Sequence, residues 1–300
     1  MSDKNTYCGY AAIVGRPNVG KSTLLNDLMG FKLSITSSKP QTTRHRLLGV
    51  DTEHNYQTLY VDTPGLHQAA KNALNRLLNK AALRSLREID VVLFVVECGR
   101  WQADDEWVLS HLKEIKKSVP VIAVVNKIDK FPEREAILPF LQELSEKFAF
   151  TQIVPISALK GEQIPALKKL VRDYLPECPF LFPEDMVSDR SERFIVAEMV
   201  REKLMRTLEQ ELPYGLTVTI EALAKEDDLV RISAIIWIEK EGHKKIVIGK
   251  GGDQLKKIGK LARRDLERYF GQQVYLQLWV KVKSGWSDDD RLLKQFGYDE

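Results

Sequence analysis

Short apolar runs alternate with longer amphipathic stretches through the first part of the chain. Tyr10–Val14, Thr58–Val61, Val91–Val96, Val121–Val125 and Ile153–Ile156 are short and rich in β-branched residues. Bounded by Gly, Pro, Asp or Asn, they are predicted to be strands. Between them, Ser22–Met29, Leu74–Leu86, Asp104–Lys117, Arg134–Phe148 and Ile164–Tyr174 carry helical patterns. Such buried strands alternating with helices imply an α/β fold, with a mostly parallel sheet covered by helices on both faces.

The pattern changes after Leu175. Pro176, Pro179 and Pro183 fall in a stretch with no period, where proline breaks both helix and strand. We therefore expect a first domain over 1–175, a linker over 176–190 and a second domain over 191–300. In the second, Glu192–Glu211 is a long amphipathic helix with Asp189 or Ser191 as N-cap. Leu216–Ala224 and Leu229–Glu239 alternate as strands around the turn Lys225–Asp228. Lys244–Ile248, a glycine-rich loop, the helix Asp253–Phe270 and the alternating strand Val274–Val282 follow. The order is α-β-β-α-α-β, an α+β unit.

Composition adds one asymmetry. The net charge is only +3, but Gly242 to Ser284 holds eleven Lys/Arg against three Asp/Glu, so the remainder is mildly acidic. A basic block of this kind points to a polyanion partner. Cys8, Cys98 and Cys178 are odd in number and lack metal-ligand spacing, which argues against a disulfide framework or zinc site. The polar start of the chain has no signal core, and no apolar run approaches a bilayer span.

The chemistry-bearing motifs lie at strand ends. Gly15, Arg16, Pro17, Asn18, Val19, Gly20, Lys21 and Ser22 fit the phosphate-binding pattern G-x-x-x-x-G-K-S, with Thr23 beside it. The loop follows a strand and opens a helix, so its backbone N–H groups and the helix dipole can face phosphate. Lys21 would neutralise the β and γ phosphates, and the Ser22 hydroxyl would ligate Mg²⁺. Asp62, Thr63, Pro64 and Gly65 follow the second apolar strand, where Asp62 can hold the Mg²⁺ shell and the Gly65 N–H can reach the γ-phosphate. Asn126, Lys127 and Asp129 follow Val121–Val125. The Asp129 carboxylate can accept from guanine N1–H and its exocyclic amine, whereas adenine would leave a buried charge unpaired. Ser157, Ala158 and Leu159 place a small residue whose N–H can reach guanine O6. In the polar loop Gln41–Arg44, Thr43 or Thr42 can add a second hydroxyl to Mg²⁺ when GTP is bound, with Thr43 favoured. Lys21, Thr43, Gly65 and Asn18 are the candidate catalytic residues. Leu66 stands where many signalling GTPases place a water-orienting glutamine.

These residues resemble the translation-factor-related bacterial GTPases, which implies GTP and GDP as ligands with Mg²⁺. In some relatives the asparagine matching Asn18 ligates K⁺ in place of an arginine finger. Here Asn18 is either that ligand or a loop-stabilising side chain.

In the second domain Gly249, Lys250, Gly251 and Gly252 form G-x-x-G after Val247-Ile248 and before a basic helix. Glycine lets the backbone approach phosphates, with Lys250 adding charge there and Lys244, Lys245, Lys256, Lys257 and Lys260 around it. Motif, basic helix and element order together resemble a type II KH domain, which clamps single-stranded RNA. A GTPase joined to such a domain resembles the Era family of bacterial ribosome-assembly GTPases. Gln41–His45, Asp62–His67, Glu211–Tyr214 and Leu278–Trp286 carry the likeness. The resemblance implies a cytoplasmic monomer that binds the 3′ end of small-subunit ribosomal RNA and the pre-30S particle, with peripheral contact at the inner membrane. Two other readings are a kinase using the phosphate loop, which Asn126–Asp129 argues against, and an RNA-binding module with a vestigial nucleotide domain. Intact Lys21, Ser22, Asp62 and Asp129 argue against the second.

Overall fold

The computed structural model describes residues 5–37, 39, 42–65, 74, 77–78, 88–209 and 212–298. They fall into two compact units, one within Met1–Ser34, Thr43–Lys71 and Asn75–Asp189, the other within Ile35–Thr42, Asn72–Leu74 and Arg190–Glu300.

The first unit is a six-stranded sheet of order β2-β3-β1-β4-β5-β6. Its strands are β1 (Tyr7–Val14), β2 (Leu47–Glu53), β3 (Tyr56–Asp62), β4 (Val91–Glu97), β5 (Val121–Asn126) and β6 (Gln152–Pro155). Only the β2–β3 pair is antiparallel. The central strands are apolar throughout because helices cover both faces, and Val91–Val96 are fully buried. The helices are α1 (Lys21–Met29), α2 (Ala103–Leu112), α3 (Leu138–Lys147) and α4 (Ile164–Arg172). Parallel strands bring their C-terminal ends to one edge of the sheet, where the loops after β1, β3, β5 and β6 meet.

Several local expectations shift. The strand β2 was not predicted. Its second half, Asp51-Thr52-Glu53, is polar because it is an edge strand, and it turns into β3 through His54, at φ 57°. The helix expected over Asp104–Lys117 ends at Leu112, and Lys113, Glu114 and Ile115 continue as hydrogen-bonded turns. That expected over Arg134–Phe148 divides into a 3₁₀ turn, Arg134–Ile137, and α3. Pro139 has no N–H to continue an upstream ladder but suits a first turn. Of the predicted Leu74–Leu86 helix, Leu74, Leu77 and Leu78 are described and helical, and the remainder lies outside the described residues. The proline-rich stretch runs along the first unit. Cys8 N donates to Pro176 O at 3.1 Å, and the Gln57 Oε1 accepts from Leu181 N and Phe182 N at 2.9 and 3.0 Å.

The second unit has a three-stranded sheet of order β7-β8-β9. The strand β7 (Leu216–Lys225) is antiparallel to β8 (Leu229–Ile238), and β9 (Gln273–Val282) is parallel to β8. The helices α5 (Glu192–Thr207) and α7 (Asp253–Phe270) pack against its inner face, with Val196, Val200, Ile232, Ile236, Ile258 and Leu266 fully or almost fully buried. Ser191 caps α5 by accepting from Phe194 N, which decides between the two N-cap candidates. Past α5 the backbone turns extended at Leu208, short of the expected Glu211, which itself lies outside the described residues. The short helix α6 (Glu241–Ile248) leads into the glycine loop. A C-terminal 3₁₀ turn, Trp286–Asp288, and a helix α8 (Asp290–Gln295) carried no predicted pattern. They bury Trp286, whose Nε1 donates to Gly215 O at 3.3 Å, against Phe296 and Tyr298. The segment Ile35–Thr42 also belongs to this unit. Thr36 N donates to Glu202 Oε1 at 3.0 Å, and Arg201 donates to the Thr42 carbonyl.

Candidate functional site

The phosphate loop links β1 to α1 and can hold its shape only with glycine at two points. A Cβ on Gly15, at φ 153°, would lie 2.3 Å from the Val95 carbonyl oxygen. One on Gly20, at φ 104°, would lie 2.3 Å from Asn126 Nδ2. Between them Arg16 and Val19 are buried, Pro17 is half-buried and Asn18 is exposed with φ 66°. Gly65 also approaches closely, since a Cβ there would meet Pro17 Cα at 2.8 Å. Lys21 is buried at the start of α1, and its ammonium donates to the carbonyls of Gly15 and Arg16, each at 3.0 Å. Burial lowers its pKa to about 8, with Asp62 opposing the shift.

Three predicted metal ligands converge. Ser22 Oγ lies 2.6 Å from Thr43 Oγ1 and donates to Asp62 Oδ2 at 2.9 Å. Ser34, which sequence reasoning missed, donates to the same carboxylate oxygen at 3.2 Å. Thr42 is placed differently, donating to Lys39 O at 2.6 Å. Asp62 is fully buried, and burial raises its pKa to about 6 despite Lys21 and these donors. Its Oδ1 has no hydrogen-bond partner among the described residues. A buried carboxylate with one unpartnered oxygen, beside the Ser22 and Thr43 hydroxyls, suits a hard divalent cation such as Mg²⁺. Thr63 Oγ1 donates to Ile13 O at 2.9 Å, tying the loop after β3 to β1. Thr23 is half-buried on α1. Leu66 lies outside the described residues, as do Gln41, His67 and Glu211.

The base-side residues form one hydrogen-bonded frame. Asn126 Nδ2 donates to Val19 O at 2.9 Å, while its Oδ1 accepts from Lys127 N at 2.7 Å and Ala158 N at 3.0 Å. One side chain thus joins the phosphate loop to both base loops. Lys127, at φ 69°, sends its ammonium back to Asn18 O at 2.7 Å. Ser157 Oγ donates to Asp129 Oδ1 at 2.5 Å, orienting the carboxylate. Ser157 and Ala158 are buried, whereas Leu159 is exposed.

A charge network behind the phosphate loop was not foreseen. Arg16 donates to Asp105 at 2.8 Å and to Glu97 at 3.2 Å, all three being buried. Glu97 also meets Lys130 at 2.6 Å and Lys127 at 3.2 Å. Burial alone would raise the Glu97 pKa, but Lys130, Lys127 and Arg16 outweigh it and hold the carboxyl down at about 2. Asp105 moves upward, mainly through burial. No local sequence signal links these positions.

In the second unit, Gly249, Gly251 and Gly252 have φ of 78, 62 and 84°. A Cβ on Gly249 would strike Gln254 Cβ at 2.6 Å, while the space above Gly251 is open. Lys250 is exposed beside it. A groove of about 570 Å³ runs from Gly252 along α7 to β9. Lys256, Lys260 and Arg263 supply its charge, and Leu255, Leu276 and Leu278 its apolar lining. Lys257 and Lys245 are exposed away from this lining, and Lys244 lies 3.8 Å from Glu241. Arg263 and the three leucines were missed, because their side chains converge only when α7 packs on β9.

Residues 10–127 match a family model described as 50S ribosome-binding GTPase, and residues 211–287 match one described as KH domain. GTPase Era of Coxiella burnetii (strain Dugway 5J108-111) is 53% identical over 297 residues, covering 99% of this chain and all of that protein. GTPase Era of Vibrio cholerae serotype O1 is 54% identical, covering 98% of this chain and 91% of that protein. A crystal structure of Era in complex with MgGDPNP and nucleotides 1506–1542 of 16S ribosomal RNA superposes with a TM-score of 0.93. It is 43% identical and covers 98% of this chain and 100% of that one. With this identity over nearly its whole length, the chain belongs to the Era family of GTPases.

Proposed function

We propose that the protein is a GTP-hydrolysing switch that binds single-stranded small-subunit ribosomal RNA near its 3′ end and assists assembly of the 30S subunit. The observation that carries the nucleotide half is the convergence of Ser22, Thr43 and Asp62 beside Lys21. Ser22, Thr43 and Asp62 would hold Mg²⁺, which when bound offsets phosphate charge. Lys21 would leave the Gly15 and Arg16 carbonyls for the β and γ phosphates. Asp129, oriented by Ser157, selects guanine, and the Gly65 N–H would face the γ-phosphate. The RNA half is supported by the left-handed glycine loop opening onto a basic, apolar-floored groove, and by the RNA-bound Era relative.

In this assignment 1–175 is the nucleotide domain, 176–190 the linker and 191–300 the RNA domain of a cytoplasmic monomer, with inner-membrane contact peripheral. Among the described residues no helix is long and apolar enough to cross a membrane. A K⁺ ion at Asn18 is the candidate second cation, and equal hydrolysis rates in K⁺ and Na⁺ would remove it.

The test is RNA crosslinking in cells with GTP-bound and GDP-bound protein, followed by identification of the RNA. Recovery of the 3′ end of small-subunit ribosomal RNA is expected, and its loss in a Lys250→Asp, Gly251→Asp variant. Recovery of unrelated RNAs alone would overturn the assignment.

A further inference from the structure

The strand β9 has two differently used faces. Leu276 and Leu278 point into the glycine-loop groove. The alternate residues Tyr275, Gln277 and Trp279 point to the opposite face and are exposed, both aromatic residues to 51%. In register, Tyr275 lies beside Arg231 of β8, Gln277 beside Ser233 and Trp279 beside Ile235. The Arg231 guanidinium stacks over the Tyr275 ring at 5.7 Å from its centroid. Along β8 the same face carries Trp237, which is half-buried, packs on Phe296 at 5.5 Å and donates to Thr219 Oγ1 at 2.9 Å. The chain's own C-terminal segment thus meets one part of this face, while the β9 aromatics stay open.

We propose that Tyr275, Gln277 and Trp279 form a stacking surface for single-stranded RNA continuing out of the groove, an extension that rests on the RNA assignment made above. Three features point to RNA. The surface is continuous with the groove, since a single edge strand contributes to both and a chain leaving the groove need only round that edge. The two rings stand four residues apart, ~13 Å along the strand, with an amide between them. Rings at that spacing can each stack a base while Gln277 and Ser233 meet base edges, the way sheet aromatics serve RNA in other folds. The flanking charge suits a phosphate backbone, with Arg231 on Tyr275 and exposed Lys281 and Lys283 at the strand end. Glu226 at 2.8 Å from Arg231 and Glu221 at 4.0 Å from Lys281 temper that charge without covering the rings. A protein partner would favour a contiguous apolar patch, which Gln277 and the lysines interrupt.

The test compares two single-stranded RNAs from the 16S segment 1506–1542. One has about four nucleotides, enough for the glycine-loop groove, and the other about twelve. Trp279→Ala and Tyr275→Ala should each weaken the longer RNA about tenfold and leave the shorter unchanged. Unchanged binding of the shorter RNA also shows that the second unit is folded. Trp279→Phe should retain most of the affinity. If both alanine variants bind the longer RNA normally, the proposal is overturned, including when a protein partner is lost instead. Equal weakening of both RNAs overturns it too. If Lys250→Asp with Gly251→Asp leaves both RNAs bound, the groove assignment itself fails.

Discussion

Ser22 Oγ lies 2.6 Å from Thr43 Oγ1, although 21 positions separate them in the chain. Thr43→Ala should remove a hydroxyl needed only in the GTP state. We expect GTP affinity in Mg²⁺ to fall ~10-fold or more while GDP affinity stays within about twofold. Thr43→Ser should behave as wild type. Thr42→Ala should change neither, because Thr42 Oγ1 is turned to Lys39 O. Nucleotide titrations of the three variants decide the matter, and a Thr42→Ala defect matching Thr43→Ala would count against the assignment.

Asp62, as the proposed Mg²⁺ ligand, should make cation binding pH-dependent. Its pKa is raised to about 6, chiefly by burial, and a protonated carboxyl cannot ligate Mg²⁺. The Mg²⁺-dependent part of nucleotide affinity should be full above pH 7 and fall up to ~10-fold per pH unit below about 6. Nucleotide phosphates titrate in a similar range, so Asp62→Asn supplies the baseline. Identical pH profiles for wild type and variant would show that Asp62 is not the linked group.

Base choice tests the far side of the site. Asp129 accepts from Ser157 Oγ and presents its carboxylate at the end of the base loop. Asp129→Asn inverts part of the donor–acceptor pattern and should shift preference from GTP to XTP by ~100-fold or more. Competition binding measures this, and an unchanged GTP preference would take Asp129 out of the base site.

Glu97 links the phosphate loop to the base loop electrostatically. Its folded pKa, about 2, lies below the ordinary 4.5, so its ionised form stabilises the fold above pH 4.5. That contribution is lost as pH falls toward 2. Lys130 is largely exposed, so screening limits the effect, and Glu97→Gln should cost about 1–2 kcal/mol at pH 7. Urea unfolding at pH 7, 4.5 and 3 should show the gap to wild type narrowing below pH 4.5. A gap constant with pH would mean that packing, and not ionisation, is lost in the variant.

The nucleotide motifs and the glycine loop were legible because each is a contiguous piece of backbone. Gly15–Ser22 needs only a strand before it and a helix after it. Glycine at positions 249, 251 and 252 encodes a left-handed path that other residues rarely adopt. The strand β4 was equally plain, since a run buried on both faces must be apolar along its whole length. The strand β2 was hidden because an edge strand can end in Asp51, Thr52 and Glu53 without cost.

What the chain alone determined, then, is what neighbouring residues decide together: alternating elements, phosphate and base loops at strand ends, and a basic glycine turn beyond a proline-rich stretch. What only the tertiary structure decided depends on distance in sequence. Arg16 meets Glu97 and Asp105 across 81 and 89 positions. Ser34 reaches Asp62, Thr43 and not Thr42 stands beside Ser22, and Thr36 bonds Glu202 across 166 positions. Burial pushes the pKa of both Asp62 and Glu97 up, yet Asp62 ends above its ordinary value and Glu97 below, because three cations face Glu97 and outweigh its burial. Periodicity records which face of an element is apolar, but not which residue of another element comes to lie against it.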